Sequence, residues 1–256
     1  MLTDLAQKLS AVYQGEIVES AVYRKSRPNS TRLKPARASN YFCPICQYWH
    51  RRFLPFGLNA RPNAACPECG SLERHRFMWR YLRDELKILH RRYRILHIAP
   101  EPCIQMRLNS LSNLKYLAID LYNVNVDKNM DLTALSFCKS SFDLVLCSHV
   151  LEHIQNDNLA ISEIARVLSK RGTLIAMVPI DYERKVTFED PTIATPKERN
   201  IAFGHPYHVR ICGNDYGARI AKGGFNVRQV ESWHLPKHLR RLERINKTTI
   251  YHCFRY

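Results

Sequence analysis

Residues 95–103 read ILHIAPEPC, an apolar run from Ile95 to Ile98 that enters a turn of Ala99, Pro100, Glu101 and Pro102. In open α/β folds such a strand delivers the chain to a ligand at its carboxyl end, and glycines there let the backbone approach closely. No glycine stands in this turn. The flanking sequence therefore decides the fold.

From Tyr93 onward short apolar runs alternate with helical stretches, the pattern of a parallel sheet covered on both faces. Strands are expected at 93–99, 116–120, 124–127, 142–148, 173–179, 226–232 and 248–254, with helices at 102–111, 158–169 and 213–222. In 158–169, Asn158 is placed to cap, Leu159, Ile161, Ile164, Val167 and Leu168 form the stripe, and Gly172 follows the end. Only a loop separates the last two runs, which suits an antiparallel hairpin at the sheet edge. Ligands of such a sheet sit beyond the strand ends where the strand order reverses. That rule singles out Glu101, Asp120, Asp131, Ser148, His149, Glu152 and His153. Asp120 lies about 20 residues past the first turn, where a carboxylate accepts ribose hydroxyls, unless it only closes a turn.

Upstream, Cys43-Pro44-Ile45-Cys46 and Cys66-Pro67-Glu68-Cys69 form two C-x-x-C knuckles with 19 residues between them. This is zinc-site spacing, and four thiolates close a tetrahedral shell with no open position, so a structural zinc ion is expected. Residues 74–89 follow with Met78, Leu82, Leu86 and Leu89 at helical spacing and Arg74, Arg76, Arg80, Arg83 and Lys87 on other faces. They read as a basic amphipathic helix, either solvated or in contact with RNA. Cys103, Cys138, Cys147, Cys212 and Cys253 show no second ligand spacing and read as ordinary thiols.

The net charge of +16 is uneven: residues 1–94 carry +11, residues 95–227 balance at 0, and residues 228–256 carry +5. Basic ends around a neutral middle suit either a phosphate-bearing partner or a merely solvated surface. The first residues hold no apolar run of signal-peptide length, and nothing downstream reaches the roughly 18 apolar residues of a membrane span. A soluble, cytoplasmic chain without a membrane partner is expected.

The segments YLAIDL (116–121), MDLTALSF (130–137), SFDLVLCSHVLEHI (141–154), AISEIARVLSKRGTLIAMVPI (160–180) and GGFNV (223–227) together resemble the class I, seven-stranded S-adenosylmethionine-dependent methyltransferases. The resemblance covers about residues 93–256, and CGSLERHR (69–76) with LHIAPE (96–101) marks a subgroup with a four-cysteine ribbon ahead of the domain. It implies a Rossmann-like α/β sheet and three parts: a basic extension over 1–40, a zinc ribbon with its basic helix over 41–92, and the methyltransferase domain over 93–256. It further implies that Asp120 with Leu121 binds the cofactor ribose, that Asp131 and Leu132 lie beside the adenine, and that Ser148 and His149 line the methyl-donor pocket. At the first turn, where the family has an acidic residue and three spaced glycines, this chain has His97, Ala99, Glu101 and Cys103. S-adenosylmethionine carries no pyrophosphate, so a stiff turn can still serve it, with His97 and Ala99 at the turn and Glu101 placed to meet its ammonium.

Methyl transfer from a sulfonium rests on positioning, with a base needed when the acceptor holds its proton tightly. HVLEHI places His149, Glu152 and His153 at i, i+3 and i+4, and FGHPYHVR adds His205 and His208 from a long insertion. Three readings stay open. His153 or His208 is a base toward a hydroxyl or amine, O-methylation being favoured; or His149, Glu152, His153 and His208 hold a second divalent metal; or these residues only shape the pocket. The metal reading resembles the Glu/His clusters of small-RNA 2′-O-methyltransferases and ubiquinone-pathway O-methyltransferases, with His149 in place of an acidic residue. Tyr182, Arg184, Lys185, Arg199 and Arg210 around the insertion suit an anionic small-molecule or carbohydrate acceptor, or are solvated. The rival is a zinc-ribbon RNA-binding protein whose Rossmann-like domain is inactive or methylates RNA.

Overall fold

A computed structural model describes residues 40–57 and 60–255; of the basic extension expected over 1–40, all but Asn40 lies outside the described residues. Four short strands come first: β1 (Tyr41–Phe42), β2 (Trp49–His50), β3 (Leu54–Phe56) and β4 (Arg61–Ala65). Helix α1 (Glu73–Asp84), β5 (Tyr93–Ile98), α2 (Pro102–Asn109), β6 (Leu114–Asp120), β7 (Lys128–Asn129) and β8 (Phe142–Ser148) follow. A 3₁₀ turn at Leu151–His153 leads to α3 (Asp157–Val167), β9 (Leu168–Met177), β10 (Phe188–Glu189), α4 (Pro196–Phe203), β11 (Arg210–Ile211) and α5 (Tyr216–Ala221). The chain ends with β12 (Phe225–Glu231), α6 (Lys237–Leu242) and β13 (Thr249–Arg255).

Two compact units result. The first takes in the described residues up to Arg91 with Glu101–Leu111 and Ser232–Lys247; the second comprises Arg92–Pro100, Ser112–Glu231 and the described residues from Thr248 on. The sheet domain expected over 93–256 thus gives α2 and α6 to the first unit.

In the first unit β1 pairs with β2 and β3 with β4, both antiparallel. The face of α1 carrying Met78 and Leu82 is buried as its spacing predicts, and so is Leu86, although the helix expected over 74–89 ends at Asp84; Glu73, His75, Arg76, Trp79 and Tyr81 are buried too. The expected solvated basic helix is corrected at Arg76: it is fully buried and donates to the backbone oxygens of Ser71, Ala64, Glu243 and Arg244. Carbonyls from distant segments solvate its charge where water cannot.

In the second unit a seven-stranded sheet runs in the order β12-β13-β9-β8-β5-β6-β7. β5 to β9 are parallel, and β13 lies antiparallel between β9 and β12. The core joins Leu96, Ile98, Val145 and Cys147 of the strands to Ile161, Ile164 and Val167 of α3 and to Tyr216 and Ile220 of α5. Four expectations change. The cap of α3 is Asn156, whose Oδ1 accepts from Leu159 N at 3.1 Å, and Leu159 is exposed rather than in the stripe. β9 starts directly after α3 at Leu168, so Gly172 lies within a strand. The strand expected at 124–127 forms only at Lys128–Asn129, because Asn123, Asp127 and Asn129 bond to the backbone around it and hold an irregular loop. The expected loop between β12 and β13 carries α6.

His252 of β13 gives the sheet a pH dependence. Burial, with the Arg228 guanidinium 3.3 Å from Nδ1, holds its imidazole at about 4. In the unfolded chain a histidine takes its proton near pH 6.5, as a general rule of thumb for the free side chain, so its contribution to stability is complete above that pH and is lost toward pH 4. After allowance for screening, urea unfolding at pH 5 is expected to give about 1 kcal/mol less stability from this group than at pH 7.5. His252→Gln should remove that part of the acid slope; an unchanged slope refutes the assignment.

Candidate functional site

β5 has β6, the next parallel strand, on one side and β8 on the other, so the strand order reverses between β5 and β8. Ligands of open α/β sheets lie at such a reversal. Both chain segments leaving it are held in an unusual backbone: Ala99 has φ 46° and His149 φ 54°, left-handed conformations that side chains normally avoid. Their amides are fixed by neighbouring strands, Ala99 N–H to Ile119 O and His149 N–H to Met177 O, each at 2.8 Å. Ala99 therefore adopts the conformation a glycine would supply. Left-handed side-chain-bearing residues concentrate at functional sites.

Ser148, at the end of β8, is buried, and its Oγ has no hydrogen-bond partner among the described residues. Asp120, at the end of β6, accepts the amides of Tyr122 and Asn123 at 2.7 Å through Oδ1, so it does close a turn, while Oδ2 makes neither bond. Beyond it Leu121, Tyr122 and Val124 are exposed large apolar side chains. Asp131 caps its own turn, accepting from N and Oγ1 of Thr133 at 2.8 Å, and Leu132 is buried in the core. His97 is fully buried within β5, its Nδ1 2.9 Å from the Tyr116 hydroxyl. Glu101 lies in the first unit, 3.6 Å from His75 Nε2.

Glu152 is fully buried, with Oε1 3.4 Å from His149 Nδ1 and 3.9 Å from His153 Nε2. The insertion brings His205 and His208 to the same place: the His153 ring lies 4.7 Å from that of His208 and 5.6 Å from that of His205. One ligand atom from each of these three histidines lies within 4.8 Å of the others. His153 Nδ1 donates to Tyr207 O at 3.1 Å, which leaves Nε2 as the acceptor of a neutral ring. Burial lowers His153 and His205, and burial with the three neighbouring histidines brings His208 down to about 3. The cluster is neutral at neutral pH.

What holds the cluster is a residue whose role local sequence pattern does not disclose. Arg210, 1% exposed, donates to the carbonyls of Leu151, Ile154 and Gln155 at 2.6–3.0 Å and to Glu189 at 2.9 Å. Val209 N–H meets Glu152 O at 3.0 Å. Buried Asp157 is shared by Arg219 at 2.7 Å, Tyr216 at 2.8 Å and Arg210 at 3.6 Å. Arg210 is thus an internal latch. Arg184 stands 3.6 Å from Asp181, and Arg199 donates to Ile193 O.

The second candidate site is the four-cysteine cluster of the first unit. Cys43 and Cys69 Sγ are 3.6 Å apart and Cys46 and Cys66 Sγ 3.7 Å, close to the roughly 3.8 Å that zinc–sulfur bonds of about 2.3 Å impose on a tetrahedron. Each knuckle closes with a bond to its first cysteine's carbonyl, from Gln47 N–H and from Gly70 N–H, and both donors are left-handed. Burial raises the Cys43 thiol, but its bonds to the other three cysteines and to Ser71 hold it well below its ordinary value. This donor set fits a tetrahedral, thiolate-binding metal.

Residues 104–176 match the family profile described as a methyltransferase domain. The match starts after the first turn, so Ala99 and Glu101 lie outside it. The chain is similar in structure to the cyclase SpnF, at 14% identity over 71% of this chain and 82% of that one, with a TM-score of 0.51. It is also similar to the PH0226 protein of Pyrococcus horikoshii OT3, at 16% identity over 71% and 92% with a TM-score of 0.48. A Burkholderia thailandensis 1,6-didemethyltoxoflavin-N1-methyltransferase gives 12% identity over 71% and 86% with a TM-score of 0.45. No curated protein matches the sequence. A cyclase among the fold relatives illustrates that fold does not name a reaction. Among the described residues no helix is long and apolar enough to cross a membrane.

Proposed function

We propose, for a chain whose sheet unit is a class I, S-adenosylmethionine-dependent methyltransferase domain, that it methylates a hydroxyl of a small-molecule or carbohydrate acceptor. The observation that carries the reading is the pair of left-handed residues, Ala99 and His149, flanking the strand reversal beside the buried, unpartnered Ser148 Oγ. A bound nucleoside would complete that serine and cover the exposed Leu121, Tyr122 and Val124.

Bound S-adenosylmethionine supplies an electrophilic methyl group on a sulfonium. Asp120 would hold the ribose through Oδ2, while Oδ1 keeps its turn. His153 Nε2 is placed to take the acceptor's hydroxyl proton, while the methyl group would pass from the sulfonium to the hydroxyl oxygen and leave a neutral thioether; the Glu152 carboxylate 3.9 Å away would stabilise the imidazolium. O-methylation is favoured because a hydroxyl, unlike a neutral amine, needs this proton removed. A lowered histidine pKa keeps the base deprotonated at neutral pH.

A second reading uses the same atom. The three-histidine grouping of His153, His205 and His208 supports a divalent metal held there, with Glu152 beside it, because the Tyr207 carbonyl on His153 Nδ1 is the usual outer bond of a ligating imidazole. Such an ion would lower the acceptor's hydroxyl pKa. In the first unit, Cys43, Cys46, Cys66 and Cys69 would hold a structural zinc ion.

Titration calorimetry with S-adenosylhomocysteine tests the main reading. Binding is expected in the wild type and about 10- to 100-fold weaker in Asp120→Ala, since a charge-assisted bond contributes about 1.5–3 kcal/mol. Asp120→Asn keeps an oxygen for the turn and separates its loss from that of the ribose contact. Absence of binding in the wild type ends the proposal. Metal content separates base from metal: two ions per chain, falling to one in His208→Ala, favours the second reading.

A further inference from the structure

A basic cleft in the first unit is left unused by the proposed methyl transfer. Lys237, Arg240, Arg241 and Arg244 line a hollow of ≈310 Å³ with Glu73, Ile245 and Asn246. A second hollow of ≈620 Å³ adjoins it, sharing Lys237 and Arg241 and adding Asn40, Tyr41, His238 and Leu242. Glu73 is the one acid in either lining, and Arg61 takes both its oxygens at 3.0 and 3.1 Å.

The cleft is built rather than a chance run of surface charge. Buried Arg76 donates to the carbonyls of Glu243 and Arg244, and Ile245 N–H closes on Arg240 O at 2.9 Å. Arg244 is held left-handed, with its guanidinium 5.3 Å over the Tyr41 ring. Arg240 Nε is buried and has no hydrogen-bond acceptor among the described residues.

We infer that this cleft binds the phosphodiester backbone of a single-stranded nucleic acid, with phosphates against Lys237, Arg240 and Arg241. Four cations spread over two adjoining hollows exceed what one phosphate or a small anionic metabolite can engage. A positively charged groove that tracks the backbone is how proteins hold single strands without reading sequence. None of the exposed large apolar side chains lies on this cleft, so insertion into a lipid surface has no anchor here. Residues 24–39 carry basic side chains and no acidic one, so their composition does not supply the anion this lining calls for.

The experiment is fluorescence anisotropy of labelled oligouridine and oligothymidine of about 15 nucleotides, between about 50 and 200 mM salt. Binding should weaken with salt at a logarithmic slope of about −2 to −3, some 0.7 per cation engaged. Lys237→Glu with Arg241→Glu should weaken binding at least tenfold and flatten the slope by about one to two. Arg240→Lys keeps the charge, loses the Nε donor and should fall between. Preference for oligouridine identifies RNA as the source, and preference for oligothymidine DNA. A flat salt dependence, or a double variant of unchanged thermal midpoint that binds as wild type, overturns the inference. Equal binding of polyglutamate overturns it in favour of an acidic protein. Lys237→Gln, at an exposed position, keeps the test readable if the double variant does not fold. S-adenosylhomocysteine binding, measured in parallel, stays independent of the outcome.

Discussion

Treatment with a chelator, or replacing Cys66 with serine, is expected to dismantle the segment from Asn40 to Gly70 while the seven-stranded sheet stays folded. The four strands there are two to five residues long, below what sustains a sheet alone. Few apolar residues are buried in the segment: Ile45, Phe53, Ala64 and Ala65 beside the thiols. Structural zinc sites release about 10–16 kcal/mol on binding, so the ion rather than a core would supply most of the segment's stability. Without it, left-handed Gln47 costs about 1–2 kcal/mol with nothing to enforce it. Metal content should drop by one equivalent, and limited proteolysis should open between Cys43 and Cys69. Cys103→Ser, a buried thiol outside the cluster, should change neither. Metal-free protein with an unaltered cleavage pattern would sink the structural-zinc proposal.

Arg210→Met is expected to cost about 3–5 kcal/mol, because removing one partner of a buried ionic network leaves the others uncompensated. Three carbonyls of the Leu151–Gln155 turn lose their donor, and buried Asp157 keeps only Arg219 and Tyr216. That turn carries Glu152 and His153. A variant that still folds should therefore lose kcat by more than tenfold and keep its affinity for S-adenosylhomocysteine, since Asp120 and Ser148 lie at the ends of β6 and β8, outside the turn that Arg210 holds. Arg210→Lys keeps the charge without the fork and should recover part of the stability and less of the rate. Equal loss of ligand affinity and kcat would mark Arg210 as merely structural.

The sheet was legible because its parallel strands are buried on both faces and read as apolar runs: LVLC in β8 is 0% exposed throughout. Elements ruled by local polar side chains were not. Asn156 outbid Asn158 for the cap, and Asn and Asp side chains around 123–129 kept a predicted strand down to two residues. The first turn was read for its missing glycines, whereas Ala99 takes up the left-handed conformation itself.

The sequence by itself determined that a parallel sheet follows a paired cysteine motif, and that Asp120, Ser148 and the HVLEHI segment stand at strand ends. These follow from periodicity and short-range spacing, which every residue carries locally. The tertiary structure alone decided which charges are buried. Arg76 and Arg210 look like solvated cations in the sequence; each is instead satisfied by carbonyls that arrive from other segments, up to 168 residues away for Arg76. The same holds for His153, which meets His205 and His208, 52 and 55 residues further along the chain, where Arg210 holds the insertion against the turn. A buried ion is stabilised by partners fixed in space, and no pattern of neighbours along the chain records them.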